Sequence, residues 1–128
     1  MGGPPLILLA DDTEDNRDLY GTVLSMAGWR VAFAEDGREA VAKATSDQPA
    51  VVVMDLGMPG MDGWQATEVI KRQPETSHIP VLALSGHVTT ESRLRALAAG
   101  AAAFCAKPCE PATLIDAVRR LLPASPTA

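Results

Sequence analysis

Five short, mostly apolar runs alternate with five amphipathic segments along the chain, and this alternation limits the possible folds more than any other feature. Runs this short and apolar are typical of strands that are buried on both faces. Strands that alternate with helices predict an α/β fold, a parallel sheet covered by helices on both sides. The predicted strands are Leu6 to Ala10, Arg30 to Ala34, Ala50 to Met54, Val81 to Ser85 and Ala102 to Ala106.

The segments that follow these runs carry apolar residues at helical spacing, which predicts five helices. The first helix is expected to end at Gly28 and the fourth at Gly100, and the last to begin at Pro111. The expected apolar faces, in chain order, are Leu19, Val23 and Ala27; Ala40, Val41 and Ala44; Ala66, Val69 and Ile70; Leu94, Leu97 and Ala98; and Leu114, Ile115, Val118, Leu121 and Leu122.

Length and composition fit one ordinary globular domain, since the chain has 128 residues, of which 47% are apolar and 21% charged. Residues 6–122 are expected to form this domain, between flexible ends at residues 1–5 and 123–128. The net charge of −5 argues against a nucleic-acid binder, which would carry a basic stripe. The longest stretch without a polar side chain, Ala96 to Ala106, is shorter than the roughly 18 residues that span a membrane. We therefore expect neither nucleic acid nor membrane as a partner.

Two cysteines, Cys105 and Cys109, lie four residues apart around Lys107 and Pro108. This spacing fits neither a disulfide framework nor a zinc site, so two reduced thiols are expected. No Lys or Arg precedes Arg17, so the sequence shows no basic leader of a signal peptide. These features predict a cytoplasmic location.

Polar residues end or follow four of the predicted strands. They are Asp11 and Asp12 after the first strand, Asp55 after the third, Ser85 at the end of the fourth and Lys107 after the fifth. In an open α/β sheet the functional site lies beyond the carboxyl ends of the strands, so these side chains are expected to converge. Three carboxylates would repel one another and resist ionisation, which a divalent cation relieves. Oxygen ligands that leave room for water and phosphate favour Mg²⁺.

Each of these residues has a simpler interpretation when it is taken alone. Asp11 or Asp12 could cap the first helix, since acids favour helix starts, and Lys107 could be an ordinary surface lysine. Asp55 is harder to explain in this way, because it precedes a glycine-rich loop and no helix begins there. The joint placement of the five residues favours a functional site.

The motifs at these strand ends resemble those of the receiver domains of two-component response regulators, and the resemblance spans about Pro5 to Leu122. It implies a flavodoxin-like, doubly wound sheet of five parallel strands in the order 2-1-3-4-5, flanked by five helices. The motifs that carry it are Asp11-Asp12, the stretch Val53-Met54-Asp55-Leu56-Gly57-Met58-Pro59-Gly60-Met61-Asp62-Gly63, Ser85-Gly86, and Phe104-Cys105-Ala106-Lys107-Pro108.

The resemblance also implies a function in a phosphorelay. Asp55 would be the phosphoacceptor, whose carboxylate takes a phosphoryl group from a phosphohistidine of a histidine kinase or histidine phosphotransfer protein. Lys107 and Ser85 would bind phosphoryl oxygens, and a cis peptide bond before Pro108 would aim the lysine into the site. The domain would not be an enzyme beyond accepting and hydrolysing its own phosphoryl group.

The metal site implied by the resemblance uses oxygen ligands only. Asp12, Asp55 and the backbone carbonyl of Gly57 would hold Mg²⁺ directly, and Asp11 would act mainly through a bound water.

The resemblance further implies a switch that produces the output signal. Ser85 would move toward the phosphoryl group while Phe104 turns inward, and a downstream protein would bind the face formed by the fourth helix, fifth strand and fifth helix. Phe104 lacks the hydroxyl of a tyrosine, so burial alone would stabilise its inward position. Gly57 and His87 would modulate the rate of dephosphorylation.

Three other functions use similar features. A haloacid-dehalogenase-like phosphohydrolase also has a strand-end Asp nucleophile and Mg²⁺, but it needs a second acid where this chain has Gly57. A flavin or nucleotide carrier offers backbone amides to phosphate after the first strand, where Asp11 and Asp12 would repel it. A receiver-like scaffold that is never phosphorylated would not need the complete set of strand-end residues.

Overall fold

A computed structural model describes residues 3–58, 60–86 and 89–123, and strands and helices alternate strictly along these residues. Three of the strand limits predicted from the sequence shift by one residue, since the third strand runs from Val51 to Asp55 and the fifth begins at Ala103. The elements are β1 (Leu6–Ala10), α1 (Glu14–Met26), β2 (Arg30–Ala34), α2 (Gly37–Asp47), β3 (Val51–Asp55), α3 (Gly63–Arg72), β4 (Val81–Ser85), α4 (Thr90–Ala98), β5 (Ala103–Ala106) and α5 (Pro111–Leu121).

The strands form one parallel sheet in the order β2-β1-β3-β4-β5, which confirms the predicted fold. Leu9 in β1 pairs with Phe33 on one side and with Val53 on the other. The chain winds outward in opposite directions from β1 and β3, and ligands of such folds bind beyond the carboxyl ends of the strands at this reversal. Asp11 and Asp55 are therefore brought side by side by the strand order itself.

Alternate residues of the central strands enter two hydrophobic cores, one on each face of the sheet. Ile7 and Leu9 of β1 pack against α1 and α5, whereas Leu8 and Ala10 pack against α2 and α3. Each of these four side chains is at most 1% exposed. Burial of a large aliphatic side chain contributes about 1.5–3 kcal/mol, so both faces hold the strand ends firmly in place.

The buried face of α1 differs from the predicted one. The helix buries Tyr20, Val23 and Leu24, whereas Leu19, expected to face inward, is 54% exposed. Tyr20 takes the inward position because its hydroxyl accepts a hydrogen bond from the backbone N–H of Cys109, at 3.1 Å. A polar group that finds a partner inside the protein does not oppose burial.

The predicted apolar face of α4 is also wrong, since Leu94, Leu97 and Ala98 are all exposed. The two leucine side chains are 61% and 48% exposed, and Ala96 alone is buried along the helix, all of whose residues are described. The small side chain of Ala96 lets α4 lie close to the sheet, so the leucines on either side of it remain outside. Ala96 joins the residues that we call the α4 cluster: Leu56, Ala83, Ala96 and Ala101.

The predicted helix ends are confirmed where special residues mark them. Gly28 and Gly100 have φ angles of 97° and 107°, the left-handed backbone that commonly ends a helix and that glycine adopts without strain. Pro111 is the first residue of α5, where its missing N–H leaves no hydrogen bond unmade. Within the described part of the chain, no helix has both the length and the apolar character needed to span a membrane.

Candidate functional site

Asp11 and Asp12 directly follow β1 but lie in different surroundings. Asp11 is fully buried, and its Oδ1 accepts a hydrogen bond from the backbone N–H of Thr13 at 2.9 Å. Its Oδ2 lies 3.2 Å from Nζ of Lys107, and its backbone carbonyl accepts a 2.8 Å hydrogen bond from Arg17 at the start of α1. Asp12 is exposed. The pair therefore offers one carboxylate inside the protein and one at its surface.

Asp55, the last residue of β3, is 5% exposed and has two partners. Its Oδ1 accepts a hydrogen bond from the backbone N–H of Gly57 at 3.1 Å, and its Oδ2 lies 3.3 Å from Nζ of Lys107. Burial raises the pKa of Asp55 above its ordinary value and the charge of Asp11 adds to the rise, while the Gly57 N–H and Lys107 oppose it. The surroundings thus disfavour the charged carboxylate, which an added cation would reverse.

Lys107 bridges the two buried carboxylates. Burial lowers the pKa of its ammonium group, but attraction to Asp55 and Asp11 exceeds this effect and raises the pKa above its ordinary value. The lysine is therefore a cation at neutral pH. Its backbone N–H donates a 2.8 Å hydrogen bond to the carbonyl of Ser85, and its peptide bond to Pro108 is cis, as predicted.

An open cleft of about 370 Å³ at the carboxyl edge of the sheet contains the side chains of Asp55, Ser85 and Lys107. A Cβ atom at Gly57 would meet only Oδ1 of Asp55 within 4 Å, at 3.8 Å, among the described residues, so there is room for a side chain at this position. A hollow of about 430 Å³ between α1 and β2 holds none of the strand-end polar residues. The other described residues that line the cleft are Leu56, Gly57, Trp64, Gly86 and Ser92.

The carboxylates suit a divalent cation. Asp11, Asp12 and Asp55 each offer one oxygen, and these oxygens lie within 4.8 Å of one another. Three carboxylates and the one ammonium group of Lys107 leave an excess of two negative charges, which one divalent cation balances. Carboxylate and carbonyl oxygens are the protein ligands that Mg²⁺ takes, together with water. The donor set therefore fits Mg²⁺.

Gly63, the first residue of α3, brings that helix against the end of β3. A Cβ atom at this position would clash with the backbone of Asp55 and Leu56, so the close approach requires glycine. The side chain of Asp62 caps the helix by accepting a hydrogen bond from a backbone N–H of its first turn. Trp64, which follows Gly63, is thereby placed at the wall of the cleft.

The two cysteines flank Lys107 without taking part in the site. Both are free thiols. Burial raises the pKa of Cys109 to about 12 and also raises the pKa of Cys105, so both thiols are protonated and unreactive at neutral pH. They pack as small apolar side chains at the end of β5.

The strand-end residues predicted from the sequence meet at one edge of the sheet. Phe104 is half-buried against the α4 cluster, with the guanidinium of Arg93 5.3 Å from its ring centroid. His87 lies outside the described residues. Sequence reasoning does not find Trp64 or Ser92, because neither adjoins a strand end. Gly63 is the sequence feature that could have indicated a position for Trp64 near the cleft, since a glycine at a helix start can mark a close backbone approach.

Residues 7–119 match the family model of the response regulator receiver domain. The chain is a receiver domain of this family. Members of the family are phosphoacceptors in two-component signalling rather than classical enzymes. The predicted family is therefore confirmed.

Curated relatives include larger and similar-sized proteins. The receiver domain is 36% identical over 115 residues to the response regulator PleD of Caulobacter vibrioides, which covers 90% of this chain and 25% of PleD. It is 33% identical over 116 residues to the protein PilH of Pseudomonas aeruginosa, which covers 91% of this chain and 96% of PilH. The chain thus spans about a quarter of the length of PleD.

Solved receiver structures have the same fold. The chemotaxis protein CheY4 of Vibrio cholerae superposes with a TM-score of 0.88 at 32% identity, over 94% of this chain and 100% of that one. The receiver domain of a sensor histidine kinase from Pseudomonas aeruginosa PAO1 superposes with a TM-score of 0.87 at 30% identity, over 93% and 98% of the two chains. That structure holds a magnesium ion coordinated in its active site cleft.

Proposed function

We propose that Asp55 is the residue of this receiver domain that accepts the phosphoryl group. The observation that carries the proposal is the position of its carboxylate, which lies in the open cleft with Nζ of Lys107 at 3.3 Å. Among the described residues, Asp55 is the one acid that lines the cleft. Asp11 is enclosed by its own hydrogen bonds, and Asp12 faces solvent.

Phosphoryl transfer depends on alignment and charge neutralisation more than on covalent help from the protein. An oxygen of the Asp55 carboxylate forms a bond to phosphorus while the bond from phosphorus to the nitrogen of a phosphohistidine breaks, and the electron pair of that bond leaves on the imidazole. Lys107 is placed to bind one phosphoryl oxygen, and Ser85, in the same cleft, to donate a hydrogen bond to another. The chemistry of the domain is limited to taking up this group and losing it by hydrolysis.

The proposed test uses a small labelled phosphodonor, acetyl phosphate, in the presence of Mg²⁺. We expect the wild-type protein to be labelled and Asp55→Asn to remain unlabelled while keeping its fold, because the amide is nearly the same shape but is not a nucleophile. Asp47→Asn is the matched control, because Asp47 is an exposed acid at the end of α2, outside the cleft, and it should be labelled normally. Stable labelling of Asp55→Asn would overturn the proposal.

We further propose that Mg²⁺ is held directly by Asp12, Asp55 and the backbone carbonyl of Gly57, with Asp11 acting through water. The bound ion supplies neutralisation of charge on the phosphoryl oxygens. The close grouping of the three carboxylate oxygens supports this assignment.

Replacing Asp12 tests the metal proposal, because it removes a ligand without emptying any buried position. We expect Asp12→Ala to weaken Mg²⁺ binding by roughly tenfold or more. Binding can be followed by tryptophan fluorescence, since Trp64 lines the same cleft. The exposed acid Asp15 in the first turn of α1 provides the control Asp15→Ala, which should titrate like the wild type. If Asp12→Ala also titrates like the wild type, Asp12 is only a helix-start acid.

The proposed partners follow from the chemistry of the site and from one exposed face. The donor is a phosphohistidine of a histidine kinase or histidine phosphotransfer protein, and transfer of label from such a protein to Asp55 tests this.

The output face is formed by α4, β5 and α5, where Leu94 and Leu97 expose apolar surface to a downstream protein. Leu94→Ser and Leu97→Ser should keep the labelling of Asp55 and lose binding of that protein, and retained binding would exclude this face.

A further inference from the structure

We propose that Trp64 forms the subsite for the leaving group of the phosphodonor and favours donors that leave as imidazole. The proposal rests on the proposed role of Asp55 as phosphoacceptor. It starts from the lining of the cleft, in which Trp64 is the one aromatic residue among those described and stands in the same space as Asp55, Ser85 and Lys107.

One backbone constraint and two side-chain contacts restrain the indole of Trp64. Gly63 presses the start of α3 against the backbone of Asp55, which limits how far the next residue can move from the site. The half-buried indole packs against the α4 cluster, and the guanidinium of Arg95 lies 4.4 Å from the ring centroid. A cation over the ring is attracted to the electrons of its face, so Arg95 also restrains the tilt of the indole. These contacts restrain the indole of Trp64 at the wall of the cleft.

Two of the described residues that line the cleft are glycines and add no side chain to it. A Cβ atom at Gly86 would meet nothing described within 4 Å, and one at Gly57 would meet only an oxygen of Asp55. In an in-line displacement the leaving group lies opposite the attacking oxygen, which places it in the outer part of the cleft. Lys107 and Ser85 supply polar groups for the phosphoryl oxygens, whereas the apolar lining comes from Leu56 and Trp64. A flat heteroaromatic leaving group can pack on the indole, and a small anion such as acetate cannot.

The transfer that this subsite would assist is balanced without any further reactant. With phosphoimidazole protonated on its ring, an oxygen of the Asp55 carboxylate forms the new O–P bond as the P–N bond breaks. The electron pair of the P–N bond returns to the ring nitrogen, and neutral imidazole leaves against Trp64. With acetyl phosphate the same attack releases acetate, which gains no aromatic contact.

The experiment compares the rates at which phosphoimidazole and acetyl phosphate label Asp55 at equal Mg²⁺, and its readout is the ratio of the two rates. We expect Trp64→Leu to lower this ratio roughly three- to tenfold, the range typical of one aromatic contact, and Trp64→Phe to lower it less. Trp29→Leu is the matched control. Trp29 is also half-buried, with the guanidinium of Arg119 5.8 Å from its ring, but it precedes β2 at the opposite end of the sheet. The ratio of the two labelling rates in Trp29→Leu should therefore equal that of the wild type.

The outcomes separate this proposal from the proposed role of Asp55. An unchanged ratio in Trp64→Leu, or equal losses with both donors, would overturn the leaving-group subsite. If Trp64→Leu does not fold, Gly57→Met keeps the indole but fills the space before it and should lower the same ratio, so an unchanged or higher ratio there overturns the subsite as well. Failure of both donors to label the wild-type protein would instead overturn the role of Asp55.

Discussion

Asp11 and Asp55 are both buried, yet their charges share a single compensating cation. Each carboxylate accepts one backbone hydrogen bond, from Thr13 and Gly57 respectively, and each contacts the ammonium group of Lys107. One cation cannot fully offset two carboxylates, and burial adds to the imbalance, so the pKa of Asp55 stays above its ordinary value. The charged carboxylate of Asp55, which we propose to be phosphorylated, therefore lowers the stability of the folded domain.

Removing the charge of Asp55 should therefore stabilise the fold. We expect Asp55→Asn to raise the melting temperature by a few degrees at neutral pH without divalent cations, as measured by calorimetry. A raised pKa means that ionisation of Asp55 costs stability as the pH rises through it, so the advantage of the amide should disappear at acidic pH, where the wild-type carboxyl is also neutral. Asp47→Asn serves as the control. A lower melting temperature for Asp55→Asn at neutral pH would show that the contact with Lys107 outweighs burial.

The glycine two residues after Asp55 bears on how long the phosphoryl group survives. Gly57 has no side chain to cover the Asp55 carboxylate, and a Cβ atom there would meet, among the described residues, only Oδ1 of Asp55 within 4 Å, so water has room to approach an acyl phosphate. We expect Gly57→Met to slow the loss of label from Asp55, because the longer side chain would shield the phosphorus from in-line attack. The measurement is the decay of labelled protein after the donor is removed. An unchanged lifetime would exclude the open cleft as the determinant.

The strand-end residues can be predicted from the sequence because a parallel sheet brings the carboxyl ends of its strands to one edge. The sequence does not predict that Asp11 is buried and Asp12 exposed, because the two residues are adjacent and chemically identical. That depends on how the chain turns from β1 into α1, where Thr13 and Arg17 bind Asp11. The position of Trp64 at the cleft is also not predicted from the sequence, because it depends on the close packing of Gly63 against β3.

At the scale of elements, α4 is attached to the rest of the domain by few contacts. Ala96 is its one buried residue, and the guanidinium groups of Arg93 and Arg95 lie over the rings of Phe104 and Trp64. Such contacts at an exposed surface contribute about 0.5–1 kcal/mol each, much less than a buried aliphatic core. The helix can therefore shift at modest cost. Its apolar face is also hard to predict, since alanine and leucine recur at overlapping helical spacings and only packing decides which is buried.

The switch prediction belongs to this element. We expect the phosphorylated state to bring Ser85 toward the phosphoryl group and to bury Phe104 more deeply, separating its ring from Arg93. The contacts made by the phosphoryl group in one state and not in the other would drive this shift. A crystal structure with Mg²⁺ and beryllofluoride, set beside one without them, tests it. If Phe104 has the same position in both crystals, the coupling is absent from this domain.

At the scale of the whole molecule, the two large cores and the small α4 cluster should differ in stability. α5 buries Leu114 and Val118 completely in one of the large cores, whereas α4 buries only Ala96. We expect backbone amides of α4 to exchange with deuterium faster than those of α5, because local opening of α4 exposes less apolar surface. Equal protection of the two helices would contradict this ranking.

Fold class and strand order differ in how far the sequence predicts them. The alternation of apolar runs with helical segments predicts a parallel sheet buried on both faces, because a run such as Ala50 to Met54 has no polar side chain that could face water. The order β2-β1-β3-β4-β5 does not follow from that pattern. It came from the resemblance of the strand-end motifs to receiver domains, since periodicity within a strand says nothing about its neighbours.

The contacts of Lys107 with both Asp11 and Asp55 determine how charge is balanced in the unphosphorylated domain. The ammonium group of Lys107 needs a counterion while no phosphoryl group is bound. The carboxylates of Asp11 and Asp55 supply it. The lysine in turn relieves part of the repulsion between the two acids before any metal ion arrives. On the proposed mechanism, uptake of the phosphoryl group then brings no new protein charge into the interior. The charges already there change partners, and signalling in this domain is at its core an exchange of counterions.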